Sequence, residues 1–299
     1  MKIYAPSYYK EFKCIADKCK KSCCIGWEID VDKISLGKYQ SLTSEYGRII
    51  AQSISSQVYT HHFIQDEEKR CPHLDATGLC RIITELGEDY LCDICREHPR
   101  FYNNTPGGRE AGLGMSCEEA CRIILSSDGY DEFIELGECE GEAEPFLINP
   151  LPTRAEVFRI LKSSAPYEEK LAKISERFKV SLSINTKRKW RRIIKELEYL
   201  DPTHREFFSC FSADIPTPIN LEKQLERMLA YLVYRHVSVE ESVDGMRCAL
   251  GFALFCERLL CSVMMKNKTM KLEDAARIIS AELEYSEENT DSIMMEFLF

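Results

Sequence analysis

Eleven of the 15 cysteines in this 299-residue chain fall at positions 14, 19, 23, 24, 71, 80, 92, 95, 117, 121 and 139; only Cys210, Cys248, Cys256 and Cys261 follow. Thiolates bind zinc and iron–sulfur clusters strongly, and clustered cysteines without a secretion signal point to metal or redox chemistry. An odd count also fits poorly with a fully paired disulfide framework.

The first group is Cys14, Cys19, Cys23 and Cys24. Adjacent cysteines suit a single tetrahedral zinc site badly, because neighbouring side chains point in different directions. They are natural where two sulfurs face different irons, or where a cluster is gripped at a turn. Lys13, Lys18, Lys20 and Lys21 surround this group and favour thiolate over thiol. In the second group, Cys71-Pro72-His73-Leu74 and Gly78-Leu79-Cys80 form a hairpin pattern that places two sulfurs near each other. Cys92 and Cys95 make the third, followed by Arg96, His98, Pro99 and Arg100. Cys117 and Cys121 stand one helical turn apart.

Groups dispersed over about a hundred residues converge only in three dimensions. All-cysteine ligation with varied spacing is typical of iron–sulfur clusters, whereas structural zinc sites more often use two tight pairs with a regular gap. The spacing therefore favours iron, with zinc as the alternative. His73 or His98 would serve in a mixed site, although a hydrogen-bonded polar histidine is the commoner state. The four C-terminal cysteines read as small buried apolar residues, and Cys121 and Cys139 partly so.

The elements around these groups follow from periodicity. Residues 27–32 alternate apolar and polar, as a short strand or extended piece does. Residues 33–60 look helical. Residues 71–83 read as two extended runs around a turn at 75–78, and 85–96 as a short helix ended by His98-Pro99. Four glycines and a proline make 105–114 a loop. Ser116 with Glu119 forms a capping-box pattern, so a helix is predicted from there. The acidic, proline-containing stretch 138–153 is the candidate linker. Beyond it, 153–163, 166–179, 187–200, 221–237, 243–265 and 272–283 carry apolar residues at three- and four-residue spacing. The expected fold is mainly α: a cysteine-rich metal-binding module with small β pieces over 1–140, and a helical domain over 150–299.

A formal net charge of -10 argues against a general nucleic-acid binder, which would need a broad basic surface. The apolar stretch 246–265 is interrupted by Arg247, Glu257 and Arg258, so it reads as a buried helix rather than a membrane span. The segment from Met1 to Lys13 holds no apolar core of a secretion signal. A cytoplasmic location is expected.

The motif set PSYYKEFKC at 6–14 with the following cysteines and the Trp27-x-Ile29-Asp30 run, CPHL at 71–74 with GLCRI at 78–82, DICREHPR at 93–100 and SCEEACRIIL at 116–125 resembles the flagellin lysine-N-methylase family. That family sits within a wider group of CxxCxxCC-type zinc- or iron-chelating domains. The likeness continues into AYLVYRHV at 230–237. The resemblance implies methyl transfer from S-adenosylmethionine to flagellin lysines, with flagellin as protein partner and a bound iron–sulfur cluster, of the 4Fe–4S type. It also implies a ligand pool of Cys14, Cys19, Cys23, Cys24, Cys71, Cys80, Cys95 and Cys117. In the family pattern the positions of Cys92 and Cys121 more often carry serine or alanine, which ranks them lower. Eight cysteines exceed the four that one cluster needs, so two sites, or one site with spare thiols, stay open.

The residues themselves speak less directly for methyl transfer. A Rossmann-type enzyme would run a strand into a glycine-rich turn, and no such unit is readable; nor is the CxxxCxxC spacing of radical S-adenosylmethionine enzymes. Gly107, Gly108, Gly112 and Gly114 read as a plain loop rather than a cofactor cradle. By the family likeness, Tyr231, Tyr234 and Arg235 are candidate cofactor-binding residues; core aromatics on an amphipathic helix are the competing reading. The basic run 187–192 reads as a solvated helix face, or as a contact for an acidic partner. The alternative to an enzyme is a non-catalytic iron- or zinc-binding module acting in assembly, transport or sensing. A cluster-based redox enzyme is disfavoured, because no flavin or dinucleotide fingerprint accompanies the cysteines.

Overall fold

A computed structural model describes residues 1–55, 60–141, 148–238 and 242–298. Thirteen α-helices and one four-stranded sheet lie among the described residues, so the expected mainly α fold with small β pieces is borne out. Residues 142–147 of the candidate linker and 56–59 of the first helical stretch lie outside the described residues.

The chain divides into two compact units. One comprises Lys13–Arg100 with Cys117–Glu119; the other comprises Met1–Phe12, Phe101–Ser116 and Ala120–Phe299. These units do not coincide with the expected split at 1–140 and 150–299. The reason is the sheet: the N-terminal strand pairs with strands from beyond the cysteine-bearing loops, so all four strands group with the helices.

In the cysteine-bearing unit, α1 (Lys33–Ser41) and α2 (Glu45–Gln52) begin at Asp32 and Ser44, whose side chains accept the Ser35 and Gly47 amides. The 27–32 stretch is extended, as its alternation predicts. Val31 donates its amide to His61, and Phe63 to Ile29. Buried Ile29, Val31, Tyr39, Ile50 and Phe63 form the core with Cys71 and Cys92. The hairpin expectation holds only in part. Leu74 bridges Cys80, and Asp75 caps the turn by accepting the Thr77 and Leu79 amides, but residues after Cys80 form helix α3 (Arg81–Leu86) rather than a second extended run. A further short helix, α4 (Asp93–Glu97), follows Cys92.

In the other unit, β1 (Lys2–Pro6), β2 (Arg100–Thr105), β3 (Gly108–Leu113) and β4 (Phe133–Glu138) are ordered β2-β3-β1-β4. β1 runs parallel to β3 and antiparallel to β4. The loop expected at 105–114 is therefore a strand. Its glycines permit close backbone approach: a Cβ on Gly108, at φ +136, would lie 2.5 Å from the Lys2 carbonyl oxygen. Gly108→Ala is expected to cost about 1–3 kcal/mol in stability, read as a lowered urea midpoint. An unchanged midpoint would show that the strand can shift away from β1. Helix α5 (Glu118–Ser126) begins near the expected place, but Ser116 Oγ is buried without a hydrogen-bond partner, so the capping box does not form.

Six of the remaining helices match their periodicities: α6 (Leu151–Leu161), α7 (Tyr167–Phe178), α8 (Lys187–Glu196), α10 (Glu222–His236), α11 (Val243–Lys266) and α12 (Leu272–Leu283); α9 (His204–Phe208) and α13 (Glu287–Met294) were not expected from the sequence. α11 is long and apolar enough to cross a membrane by length and composition, yet 89% of its most apolar 18-residue stretch is buried. A helix that is apolar all round must be covered all round. Its charged pair is internal: Arg258 Nε and Nη2 reach the Glu257 carboxylate at 2.5 and 2.7 Å, and Cys261 donates to it at 3.3 Å. α8 buries Trp190, Ile193 and Ile194 and exposes its basic residues. Trp190 packs on Phe211, Phe255 and Phe297 and donates its indole N–H to Leu182 O.

Candidate functional site

All eight cysteines of the expected ligand pool, together with Cys92, fall in the cysteine-bearing unit. The backbone explains how distant segments meet. Ile25 bridges Arg70 antiparallel, Gly26 (φ +89) donates to Lys69 O, and Cys71 donates to Cys24 O at 2.8 Å. The double cysteine is thus laid alongside the start of the hairpin. The Leu74–Cys80 bridge returns the chain, so Cys80 lies at the start of α3. Cys92 precedes α4 and Cys95 sits within it, with the Cys95 amide donating to Cys92 O at 3.0 Å.

Two thiol groups result. Cys71 and Cys92 are buried core members, with Cys24, Cys80 and Cys95 packed against the same core. These five are close enough to shift one another's ionisation. Cys14, Cys23 and Cys117 form the second neighbourhood, with Cys19 beside Cys117. Glu118 joins it: its carboxylate accepts the Lys20 amide at 2.8 Å and stands 3.7 Å from the Cys19 thiol. The double cysteine straddles the two groups, Cys23 belonging to one and Cys24 to the other.

Within the five, the thiols are unequal. The Cys23 thiol hydrogen-bonds to Cys24 and, with the Ser22 hydroxyl and the Arg70 charge, lowers Cys24 to about 7 against the effect of burial. The Cys95 thiol does the same for Cys92, and the Tyr39 hydroxyl, 3.3 Å from Cys92 Sγ, adds to it. Burial pushes Cys71 up to about 12. Cys24 and Cys92 are therefore the thiolates most readily formed, and Cys92 is one that sequence reasoning ranked low.

Among the described residues, no three His, Cys, Asp or Glu side chains stand at the spacing of a bound single metal ion. One zinc ion draws four sulfurs to ~2.3 Å from a common centre. A polynuclear cluster holds its thiolates further apart. The donors gathered here are all thiols and range from buried Cys71 and Cys92 through half-buried Cys24, Cys80 and Cys95 to exposed Cys14 and Cys23. His73 is no ligand candidate: Tyr46 Oη lies 3.1 Å from its Nδ1 and Ser53 Oγ 2.9 Å from its Nε2, so both ring nitrogens are occupied. Burial lowers it to about 4, and His98 likewise.

The other cysteines pack in the helical unit. Cys121 is fully buried and donates to Glu273 O, Cys248, Cys256 and Cys261 are buried, and Cys210 is half-buried.

Tyr231 and Tyr234 are buried in the core, and Arg235 beside them is half-buried. Tyr231 Oη lies 3.0 and 3.2 Å from the two Glu284 carboxylate oxygens and accepts the Met115 amide and Arg235 Nη1. Tyr234 donates to Ala111 O at 2.9 Å. Arg235 lies over the Phe101 and Tyr285 rings, and His236 Nε2 is 2.9 Å from Glu284. Burial pushes the Glu284 carboxyl up, but the Arg235 charge and His236 outweigh it and hold it below the ordinary range. Glu284 carried no signal in the sequence, where it is one of many helix-flanking acids.

Comparison with known proteins adds the following. Over 130 residues, 42% of this chain, it is 29% identical to the lysine-N-methylases of Salmonella typhimurium and Salmonella choleraesuis. The identity is also 29% to the flagellar biosynthetic protein FliU of Salmonella muenchen, across 77% of that protein. Over this stretch the chain is similar to the lysine-N-methylases. The match spans about a third, 32%, of the length of those two methylases. No protein-family model and no solved structure matches the chain.

Proposed function

We propose that this chain transfers methyl groups from S-adenosylmethionine to lysine side chains of flagellin, with an iron–sulfur cluster held in its cysteine-bearing unit. The observation that carries the reading is the relationship to proteins named lysine-N-methylase. The name FliU supports the flagellar partner. The gathered thiols support the cluster.

In the reaction, the neutral lysine amine attacks the sulfonium methyl. The N–C bond forms as the S–C bond breaks, S-adenosylhomocysteine leaves, and the ammonium proton passes to water or a nearby base. The cluster, held by the five-thiol group, would cross-link the segments that carry Cys24, Cys71, Cys80, Cys92 and Cys95. A second reading, a metal-binding module without catalysis, is favoured by the partial length of the match.

The test is incubation of anaerobically purified, metal-loaded protein with methyl-labelled S-adenosylmethionine and flagellin. Label on flagellin lysines is expected. A fully metal-loaded protein that transfers none would reject the enzyme and leave the metal module.

A further inference from the structure

The helical unit contains a cavity of about 1000 Å³ whose lining plays no part in the proposed methyl transfer. This is the upper end of the size range of sites for organic ligands. Helix α6 and the residues just after it form one wall; β1, β3 and β4 contribute the other.

One buried donor in this wall is unspent. Arg154 is 3% exposed, and its Nη1 and Nη2 both go to the Glu110 carboxylate, at 2.6 and 2.5 Å. Its Nε–H has no acceptor among the described residues. Leaving a buried donor unpaired costs about 1–3 kcal/mol, which an acceptor brought by a ligand removes. The Arg154–Glu110 pair is neutral, so the charge of the site is set by the other wall groups. Lys162 lies 2.7 Å from Asp131, a second neutral pair. Arg159 is the wall cation in excess. Its partner Glu156 lies outside the lining, and the two side chains are 70% and 29% exposed. An exposed pair of that kind is worth about 0–1 kcal/mol, so an anion in the cavity competes with Glu156 for Arg159.

These charges sort the ligands that the cavity can hold. A cation would meet the Arg154 guanidinium, with both wall carboxylates already committed to partners. A nucleoside polyphosphate would bring several negative charges to one excess cation, beside Glu110 and Asp131. A neutral ligand could accept from Arg154 Nε, but a charged acceptor makes a bond about twice as strong. The rest of the lining decides the body of the ligand. Tyr4, Phe133 and Phe158 supply aromatic surface. Phe133 stacks on Phe158 with ring centroids 6.5 Å apart and 30° between planes, yet it is 41% exposed. The uncovered part of that ring suits a flat apolar group.

We infer that this cavity binds an organic monoanion, a carboxylate carried on an aromatic body. The ring lies against Phe133, and the carboxylate accepts from Arg154 Nε–H while Arg159 neutralises its charge from the exposed rim. The site is independent of methyl transfer, since it needs neither the thiols nor flagellin.

Calorimetric titration of the metal-loaded protein with three probes of one shape, naphthoate, naphthylmethanol and naphthylmethylammonium, tests the sign of the charge. Naphthoate is expected to bind at one per chain and at least tenfold more tightly than the alcohol, with the ammonium weakest. Two variants localise it. Ala155 is exposed and lines the cavity, so Ala155→Trp fills it; Arg159→Glu reverses the excess charge. Each is expected to weaken naphthoate at least tenfold at an unchanged melting temperature. Equal affinity for the three probes would leave a merely apolar cavity, and unaltered naphthoate affinity in both variants would place its binding elsewhere. Either result overturns the assignment, as does failure of naphthoate to bind at millimolar concentration. None of these readouts involves S-adenosylmethionine, so methyl transfer stands or falls separately.

Discussion

Replacing Glu284 with glutamine is expected to lower the unfolding free energy by about 3–5 kcal/mol, the cost of breaking a buried charge pair from one side. The Glu284 side chain is 1% exposed and that of Arg235 12%. The carboxylate is shared by Tyr231, Arg235 and His236. Glutamine keeps the shape but removes the charge, leaving the Arg235 guanidinium in a poorly solvated site with no carboxylate, only the Tyr231 hydroxyl, the residue-284 carbonyl and the two flanking rings. The same group makes an acid-dependent contribution. The Glu284 carboxyl has a folded-state value below its ordinary 4.5, so the stability it provides is fully present above about 4.5 and is lost as pH falls through the lower folded value. Urea unfolding followed by circular dichroism should therefore show the wild-type midpoint falling more steeply than that of Glu284→Gln below this pH. Parallel acid profiles would mean that Glu284 acts through packing alone.

This network also shows which parts of the fold are legible in the sequence. Helix α12 occupies the same residues that its periodicity predicts, Leu272–Leu283, because a three- and four-residue apolar rhythm is a local property. The interruption of α11 by Glu257 and Arg258 was likewise readable as evidence for a buried helix, and the two side chains compensate each other inside it. Strand β3 was not readable. Gly108–Leu113 lies between β2, from which two residues separate it, and a parallel partner more than a hundred residues earlier, and no local pattern reports the second pairing. Glu284 and Glu110 were invisible for a related reason. A buried acid differs from a surface acid only through what packs on it. The cysteines lie between these cases. Their clustering was legible because thiols are rare and chemically committed. Their division into a five and a four depends on the Ile25–Arg70 and Leu74–Cys80 bridges, which align Cys24, Cys71 and Cys80, and on Tyr39, whose hydroxyl lies 3.3 Å from Cys92 Sγ.

That division makes the second large effect specific. Cys24→Ser and Cys71→Ser are each expected to remove most of the bound metal from anaerobically purified protein, whereas Cys256→Ser, in the helical core, retains it. A serine hydroxyl at neutral pH is not deprotonated and is a poor substitute for a thiolate. The loss should extend to structure. The core of the cysteine-bearing unit is small, and two of its ten buried members, Cys71 and Cys92, are themselves cysteines. Metal affinity is folding free energy in such a unit, on the order of 10 kcal/mol for thiolate sites. Metal-free protein should be cleaved by protease within 13–100 while the helical unit, whose core is built on α11, stays intact. Iron, sulfide and zinc analysis decides the metal: zinc at one per chain without sulfide would reject the cluster. Full metal content in Cys24→Ser would reject the five-thiol group as the centre. If Cys14→Ser then lost metal where Cys24→Ser did not, the four-thiol group around Cys23 and Cys117 would hold it instead.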